Sequence, residues 1–199
     1  TLATVLYTRG GDQQASNTSP ALQDDMLVRP HSPVFGPMDA PVTIVEFFDP
    51  SCEACRAMHP YVQKLRAEYP DKVRVVVRYT LFHQGSEEAA RILETARLQG
   101  LYEPVLETLL GNQPKWAIHG APDLAKAWQF AASAGLDVDQ ARQDMMNPEI
   151  SAILKQDRED VEAAGVQKTP TFFVNGKPLP SFGVKQLYEL VMDEVDAAG

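Results

Sequence analysis

The sequence predicts an α/β fold in which a βαβ unit comes first, a block of helices follows, and a ββα unit closes the chain. Two runs of β-branched and aromatic residues, 42–48 and 73–79, flank a segment with helical periodicity. Residues 85–165 then carry helical patterns with few strand signals. A last strand signal at 171–174 is followed by Asn175-Gly176, a dipeptide that joins antiparallel strands.

The first unit consists of the strands VTIVEFF and VRVVVRY with a helix between them. Both strands are apolar almost throughout, which is typical of strands that are covered on both faces. A strand, a helix and a strand at this spacing predict two parallel strands in one sheet. The apolar stripe of the helix is formed by Ala54, Ala57, Met58, Tyr61, Val62, Leu65 and Tyr69.

Glycine and proline divide the middle block into candidate helices, and the closing unit contains a short second strand and an amphipathic helix. The predicted helices of the block span 86–99, 101–111, 122–134, 137–146 and 148–164. The short strand is expected near 178–181 and the last helix over 184–197.

These elements predict three parts of the chain. Residues 1–33, rich in Gly, Gln, Ser, Asn, Asp and Pro, are expected to form a flexible N-terminal arm or linker. The two outer units are expected to form one sheet domain, made of 34–82 and 166–199. Residues 83–165 are expected to form a helical domain inserted into it.

Charge and hydropathy exclude some classes of function. Acidic residues outnumber basic ones by 27 to 18, and the net charge of −9 argues against a nucleic-acid partner, which needs a basic face. No apolar run is long enough to cross a membrane. The opening TLATVLYTRGG is typical of the end of a removed signal peptide, of a membrane anchor preceding residue 1, or of a flexible tail.

Cys52 and Cys55 are the only two cysteines of the chain, and three uses of the pair are open. A structural disulfide would close a very small loop and stabilise the fold little. A metal site would need further ligands, for which His59 and, toward Cu(I), Met58 are candidates on the same helix. A redox pair fits best, because the cysteines begin a helix, where backbone N–H groups and the helix dipole favour a thiolate. Cys52 is then the exposed nucleophile and Cys55 the more buried resolving thiol.

Three further features favour redox chemistry, although each has a plainer interpretation. Glu46 is the lone charge of its strand; if buried, it would have a raised pKa and exchange a proton with Cys55, and otherwise it is an exposed strand residue. Pro60 interrupts the helix after the cysteines, which by itself implies only a kink. Thr169-Pro170 precedes the returning strand, either as ordinary punctuation or as a cis peptide bond.

With these residues in hand, the chain resembles the thioredoxin superfamily and, within it, the DsbA-type thiol:disulfide oxidoreductases. SPVFGPMDAPVTIVEFFDPSCEAC is similar to the lead-in to the family's active-site helix, and GVQKTPTFFVNGKPL to its cis-proline loop and hairpin. These motifs cover roughly residues 33–80 and 165–198, while the helical block matches by position and size only. The resemblance implies a thioredoxin fold with an inserted all-helical domain.

The resemblance also implies roles for individual residues. Cys52 matches the attacking cysteine, Cys55 the resolving cysteine, and Glu46 the buried acid beneath them. Pro170 matches the cis-proline that faces the disulfide, with Thr169 before it. In the family, the backbone at this proline pairs with an extended substrate segment.

The active-site helix matches the family at Pro60, the kink proline, but departs from the strongest oxidases between the cysteines. Glu53 and Ala54 stand where those oxidases have a Pro-His pair. Glu53, if ionised and close, would raise the pKa of Cys52 and weaken the disulfide as an oxidant; its alternative is to point into solvent. We expect a reduction potential between those of DsbA and thioredoxin, on the order of −150 to −240 mV.

The expected function is therefore a protein dithiol oxidase, with a reductase or isomerase as the second candidate and a copper-binding chaperone as the candidate of a different class. The resemblance makes Thr169 more typical of isomerases and of some Gram-positive-like oxidases than of the best-known DsbA, which has a valine there. Residues 1–33 are too short and too polar for an isomerase's N-terminal dimerisation domain, which lowers the isomerase alternative. The expected substrates are unfolded or partly folded protein thiols, with a DsbB-like or DsbD-like membrane protein as redox partner. The location implied is periplasmic or extracytoplasmic, and the Cys52–Cys55 disulfide is the only redox group, with no cofactor and no metal.

Overall fold

The structure, a computed structural model, describes residues 25–199. Its strands and helices alternate as the sequence predicts, and an all-helical block separates the third strand from the fourth. The elements are β1 (Val34–Phe35), β2 (Val42–Phe48), α1 (Glu53–Glu68), β3 (Val73–Tyr79), α2 (Ser86–Leu98), α3 (Tyr102–Gly111), α4 (Gln113–Trp116), α5 (Leu124–Ser133), α6 (Val138–Asp144), α7 (Pro148–Ala163), β4 (Thr171–Val174), β5 (Lys177–Pro178) and α8 (Val184–Ala197).

The described strands form one sheet in the order β1-β3-β2-β4-β5. β2 and β3 are parallel, from Val42 opposite Val73 to Phe48 opposite Tyr79, which confirms the predicted βαβ unit. β4 lies antiparallel on the other side of β2, while β1 and β5 are short antiparallel edge strands. β2 is therefore the central strand, with β3 on one side and β4 on the other, and the chain continues from its end into α1.

Helices α1 and α8 cover one face of the sheet. Met58 and Val62 of α1 and Leu187 of α8 are buried against Ile44 and Val75 of the central strands. Met58, Val62 and Leu65 of the predicted apolar stripe are buried here, whereas Ala57 and Tyr61, which were assigned to the same stripe, are exposed. On the opposite face, α7 and the segment before β1 pack against the sheet.

The helical block has a core of its own that continues into the sheet. Trp116 of α4 is fully buried in it, together with residues of α2, α3, α5 and α6. Phe48 and Tyr79, at the ends of β2 and β3, belong to the same apolar cluster, as do both cysteines. The helical block therefore covers the end of the sheet at which the cysteines lie. Whether residues 83–165 fold as a separate domain stays a prediction.

The segment before β1 differs from the flexible arm expected over 1–33. Residues 1–24 lie outside the described part of the chain. In the remainder, Leu27 is buried, and the Arg29 guanidinium pairs with Asp160 of α7 at 2.7 Å. The polar composition of this segment is typical of a linker. It does not reveal that Leu27 and Arg29 contact residues of α7, which lies more than a hundred residues away in the chain.

Elements too short to show periodicity account for the other differences. β1 and α4 were not predicted, since two and four residues carry no pattern. The strand expected near 178–181 is instead β5, because only Lys177 and Pro178 pair with β4. Asn175 and Gly176 have φ angles of 47° and 78°, as the predicted tight turn requires. None of the helices described in residues 25–199 is long and apolar enough to cross a membrane.

Candidate active site

Cys52 and Cys55 lie where the central strand β2 turns into α1. Cys52 caps the N-terminus of the helix in an extended conformation, and Cys55 occupies the first turn. The Cys52 N–H donates to the carbonyl of Asp49 at 3.1 Å, and the Cys52 carbonyl accepts from the N–H of Arg56 at 3.1 Å. The turn is therefore held by backbone hydrogen bonds at both ends, and both sulfurs are free thiols.

Cys52 is less exposed than the sequence predicted. Its exposed fraction is 5%, against 0% for Cys55, so the order of accessibility is as expected but the difference is small. The helical block covers the turn, because the side-chain amide of Gln113 donates to the carbonyls of Pro50 at 2.8 Å and Cys52 at 3.0 Å. Nothing in the local sequence around the cysteines shows that a residue from α4 would reach them.

The two thiols have opposite acidities. The contact with Cys55 is the main cause that lowers the pKa of Cys52 to about 5, with further contributions from Thr169 and from the N–H groups of Ala54 and Cys55. Burial is the main cause that raises the pKa of Cys55 far above its usual range. At neutral pH Cys52 is therefore a thiolate and Cys55 a protonated thiol, which is the division of roles between an attacking and a resolving cysteine.

Glu46 is buried in β2 beneath the cysteines, with an exposed fraction of 3%. Its Oε1 has no hydrogen-bond partner among the described residues. Burial, reinforced by the negative charge of Cys52, raises the pKa of Glu46 to about 8. The alternative of an exposed strand position is therefore wrong, and the carboxyl is protonated at neutral pH.

His59 is directed away from the role of a metal ligand. Its Nε2 donates to Glu107 of α3 at 2.6 Å, and the ring lines a small cavity that also borders Glu46. The centre of a water molecule can occupy about 10 Å³ of this cavity, so the cavity has room for one water. Within residues 25–199, no three His, Cys, Asp or Glu side chains are grouped to hold a metal ion. The three-ligand site considered for Cys52, Cys55 and His59 is therefore not assembled.

The loop before β4 faces the cysteines. The peptide bond between Thr169 and Pro170 is cis. The Cys52 sulfur lies 3.4 Å from the Thr169 carbonyl oxygen, and Pro170 is buried beside it. Because β4 runs antiparallel to β2, the start of the one strand meets the end of the other at this point. The structure thus brings together the two sequence motifs that lie farthest apart in the chain.

The residues between the cysteines have less influence than expected. The Glu53 side chain is 68% exposed and lies 3.6 Å from His119. Ala54 packs against the core of the helical block. Pro60 lies inside α1, which continues past it to Glu68. The expectation that Glu53 weakens the Cys52 thiolate is therefore not supported, because its carboxylate extends into solvent.

Two polar residues near the cysteines were missed by the sequence analysis. Asp49 is fully buried and its backbone N–H donates to the Cys55 sulfur at 3.4 Å. His83, from the loop between β3 and α2, donates from Nδ1 to the Asp49 carboxylate at 2.7 Å. A charged residue directly after a buried strand was a usable signal for Asp49, whereas His83 carries none until the topology is known.

Comparison with known proteins agrees with this geometry. A family model described as thioredoxin matches residues 29–193. A thioredoxin-like oxidoreductase from Silicibacter pomeroyi is 35% identical, with a TM-score of 0.73 over 87% of this chain and 96% of that chain. The α-DsbA1 of Wolbachia pipientis shares the fold at 19% identity, with a TM-score of 0.75 over 88% of this chain and 96% of that one.

Curated relatives are much longer proteins. The Na(+)/H(+) antiporter NhaA of Herminiimonas arsenicoxydans is 34% identical over 144 residues, which is 72% of this chain and 22% of that protein. The chain spans about a quarter of the length of the curated relatives it matches. The antiporter's name describes its whole length, of which the match is a minor part. By the family model, which matches most of its length, the chain belongs to the thioredoxin family, and its fold agrees with that assignment.

Proposed function

We propose that the chain is a thiol:disulfide oxidoreductase that acts as a DsbA-like dithiol oxidase on protein thiols. The observation that carries the proposal is the position of Cys52 at the N-terminus of α1, beside Cys55 and the Thr169 carbonyl, where its pKa is lowered to about 5. Stabilising the thiolate stabilises the reduced pair, and a stable reduced form makes the disulfide form a stronger oxidant. The Cys-Glu-Ala-Cys turn is thus suited to accept electrons from a substrate.

The proposed reaction begins with the pair oxidised. A substrate thiolate attacks the Cys52 sulfur, the Cys52–Cys55 bond breaks, and Cys55 leaves with the electron pair of that bond. A second substrate thiolate then attacks the substrate sulfur of the mixed disulfide and releases Cys52 as a thiolate. The substrate loses two electrons and gains a disulfide, and the enzyme gains the two electrons as a reduced pair. The low pKa of Cys52 favours its departure in the last step.

Glu46 is the proposed proton donor to Cys55. Cys55 is a strong base when it leaves, because burial raises its pKa far above the usual range. Glu46 lies close enough to Cys55 that its ionised form would raise the pKa of the thiol further, and at neutral pH the carboxyl is protonated and neutral. The carboxyl can therefore neutralise the buried thiolate and later recover a proton through the adjoining cavity, which has room for one water.

Thr169 and Pro170 are the proposed substrate-binding residues. The Thr169 carbonyl is within 3.4 Å of the attacking sulfur. An extended peptide that pairs with the backbone at this position would place its own cysteine against Cys52. Hydrogen bonds between backbones do not depend on the side chains of the substrate, so this mode of binding suits unfolded or partly folded proteins of many sequences. A reductase or isomerase remains the second candidate, and Thr169 is the residue that favours it.

The proposal includes a compartment and a partner. A dithiol oxidase is useful only where disulfides persist, so we place the protein in the periplasm or an equivalent extracytoplasmic space. Each turnover leaves Cys52 and Cys55 reduced, and a DsbB-like membrane protein would reoxidise them; a DsbD-like protein would instead keep a reductase reduced. No further redox group is proposed beside the Cys52–Cys55 disulfide.

The test is a single-turnover oxidation. Oxidised protein is mixed with an excess of a reduced, unfolded model protein, and free substrate thiols are counted over time. The proposal predicts the loss of two substrate thiols for each protein molecule, with none lost when Cys52→Ala replaces the wild type. A wild type that consumes no more thiols than Cys52→Ala would contradict the proposal.

A further inference from the structure

A buried carboxylate connects the cysteine turn to the loop after β3. Asp49 accepts hydrogen bonds from His83 Nδ1 at 2.7 Å, from the His83 N–H at 3.0 Å and from the Phe82 N–H at 2.9 Å. Its other oxygen accepts from the Ser51 N–H at 2.9 Å and from the Ser86 hydroxyl. Five donors on one fully buried carboxylate leave the His83 ring little freedom to rotate.

The same residue is bonded to both cysteines through its backbone. The Asp49 carbonyl accepts from the Cys52 N–H at 3.1 Å, and its N–H donates to the Cys55 sulfur at 3.4 Å. The position of the His83 ring is therefore fixed relative to the redox pair by one intervening residue. Because Nδ1 is engaged by Asp49, Nε2 is the nitrogen left free.

The surroundings of His83 are mostly negative. The ionisable groups around it are Asp49 from the turn after β2, Cys52 and Glu53 from the start of α1, and His119 from the loop between α4 and α5. The rings of His83 and His119 are 6.2 Å apart, and His119 Nε2 lies 3.6 Å from the Glu53 carboxylate. Burial lowers the pKa of His83, but the Asp49 hydrogen bond and the charges of Asp49, Cys52 and Glu53 outweigh it, so the pKa is raised.

We propose that His83, oriented by Asp49, supplies a positive charge that stabilises the Cys52 thiolate. No histidine lies between the cysteines, where Glu53 and Ala54 stand, so the cation comes from a different loop of the fold. His83 acts here as a thiolate-stabilising residue and Asp49 as the residue that positions it. The consequence for oxidant strength rests on the proposed function, whereas the coupling between the two side chains does not.

The coupling must act in both directions. If a protonated His83 stabilises the Cys52 thiolate, the thiolate stabilises protonated His83 by the same free energy. Oxidation to the disulfide removes the thiolate charge, so His83 must bind its proton more weakly in the oxidised protein. A purely structural His83, tied only to Asp49, would titrate at the same pH in both redox states.

The first experiment is therefore a histidine NMR titration of the full chain in its reduced and oxidised forms, with the His83 ring signals assigned by their loss in His83→Asn. The proposal predicts a higher titration midpoint for His83 in the reduced protein, by a factor of about three or more in proton affinity. Equal midpoints in the two forms would overturn it. The comparison itself is made on the wild type, and if His83→Asn fails to fold, the ring signals can be assigned by through-bond NMR of the wild type instead.

The second experiment uses His83→Asn, whose side-chain amide can still donate to Asp49 but carries no charge. We expect Cys52 to become about threefold or more weaker as an acid, a figure below that of a buried pair because one third of the His83 side chain is exposed. The equilibrium constant with glutathione should shift by the same factor toward the reducing side. His119→Asn is the matched control, since His119 contacts Glu53 and not Asp49, and its effect should be less than half as large. An unchanged Cys52 in His83→Asn, or a larger effect of His119→Asn, would overturn the proposal.

Failure of this inference can be told apart from failure of the proposed function. Both titrations are made on the protein alone, with no substrate present. If the protein fails to oxidise substrate thiols but His83 still senses the redox state, the oxidase proposal falls and the coupling stands. If substrate is oxidised while His83 titrates identically in both states, only the role of His83 is lost.

Discussion

The carbonyl oxygen of Thr169 lies 3.4 Å from the sulfur of Cys52, although 117 residues separate the two in the chain. The contact exists because β4 pairs antiparallel with β2, which returns the chain to the end of the strand that leads into the cysteines. Thr169 is also one of the causes of the low pKa of Cys52. One residue thus bears on both the acidity of the attacking sulfur and the place where a substrate would dock.

The acidity of Cys52 is directly measurable in the reduced protein. We predict one thiolate step, seen by ultraviolet absorbance, with a midpoint near the pKa of about 5. Cys55→Ala should move the midpoint upward, because the contact with Cys55 is the largest cause of the low pKa. Cys52→Ala should abolish the step. A wild-type midpoint at the ordinary thiol value of about 8.5 would show that the turn does not activate Cys52.

Thr169→Val should make Cys52 a weaker acid. The Thr169 side chain is one of the causes of the low pKa of Cys52, and valine has a similar shape but no hydroxyl to contribute. We expect the proton affinity of Cys52 to rise about two- to threefold, measured by thiolate titration. Thr171→Val, at the start of β4, is the control. An unchanged titration midpoint in Thr169→Val would contradict the expectation.

Glu46→Gln should change how stability depends on pH. The carboxyl has a pKa of about 8 when folded and an ordinary value near 4.5 when unfolded, so the unfolded chain releases this proton first as pH rises. As the pH rises from about 5 to 8, the raised pKa of Glu46 therefore lowers the free energy of unfolding, by roughly 4–5 kcal/mol in total. Cys52 titrates in part of this range with the opposite sign, so the informative quantity is the difference between wild type and Glu46→Gln in urea unfolding. A difference that does not change from pH 5 to pH 8 would contradict a buried, unpaired carboxyl.

The contact between the N-terminal segment and the sheet rests on a buried arginine. Arg78 of β3 is fully buried and pairs with Asp157 at 2.8 Å and with Asp160 at 2.5 Å. It also donates to the carbonyl of Leu27 at 2.9 Å. Arg78→Gln removes the fully buried cation that Asp157 and Asp160 share, although Asp160 keeps Arg29 and Asp157 keeps His31. The loss should cost about 3–5 kcal/mol in the free energy of unfolding.

The matched control for this network is Lys155→Gln, which removes an exposed pair with Glu159 on the same helix, α7. Exposed pairs contribute little, so its unfolding midpoint should stay close to that of the wild type. If Arg78→Gln were as stable as Lys155→Gln, the network would not anchor the segment before β1. Chemical denaturation of both variants decides the matter.

Some parts of the fold and site were predictable because their signals are local. The βαβ unit is legible in two apolar strands and one amphipathic helix, and the hairpin turn in Asn175-Gly176. The candidate active site was found from Cys52 and Cys55 at a helix start and from the proline before the returning strand. In each case the residues that show the pattern are also those that form the structure.

Other parts depend on contacts between residues that are remote in the chain. Residues 25–33 look like a linker because nothing near them in sequence reveals the acidic residues of α7 that receive Arg29. His83 looks like a loop residue until Asp49 is placed beneath it. The expected effect of Glu53 on the pKa of Cys52 rested on its proximity in sequence. The sequence does not show that a side chain at this position of the helix points into solvent. These features depend on contacts between remote residues and on side-chain direction, neither of which the local sequence shows.

The most direct test of the account is the equilibrium between the Cys52–Cys55 disulfide and glutathione. The lowered pKa of Cys52 favours the reduced pair, so we expect a reduction potential of about −180 mV or above, between those of thioredoxin and DsbA. That value would mark a pair that donates its disulfide to most protein thiols. A potential of about −250 mV or lower would mean that the pair rests reduced against such partners, and would contradict the oxidase in favour of a reductase.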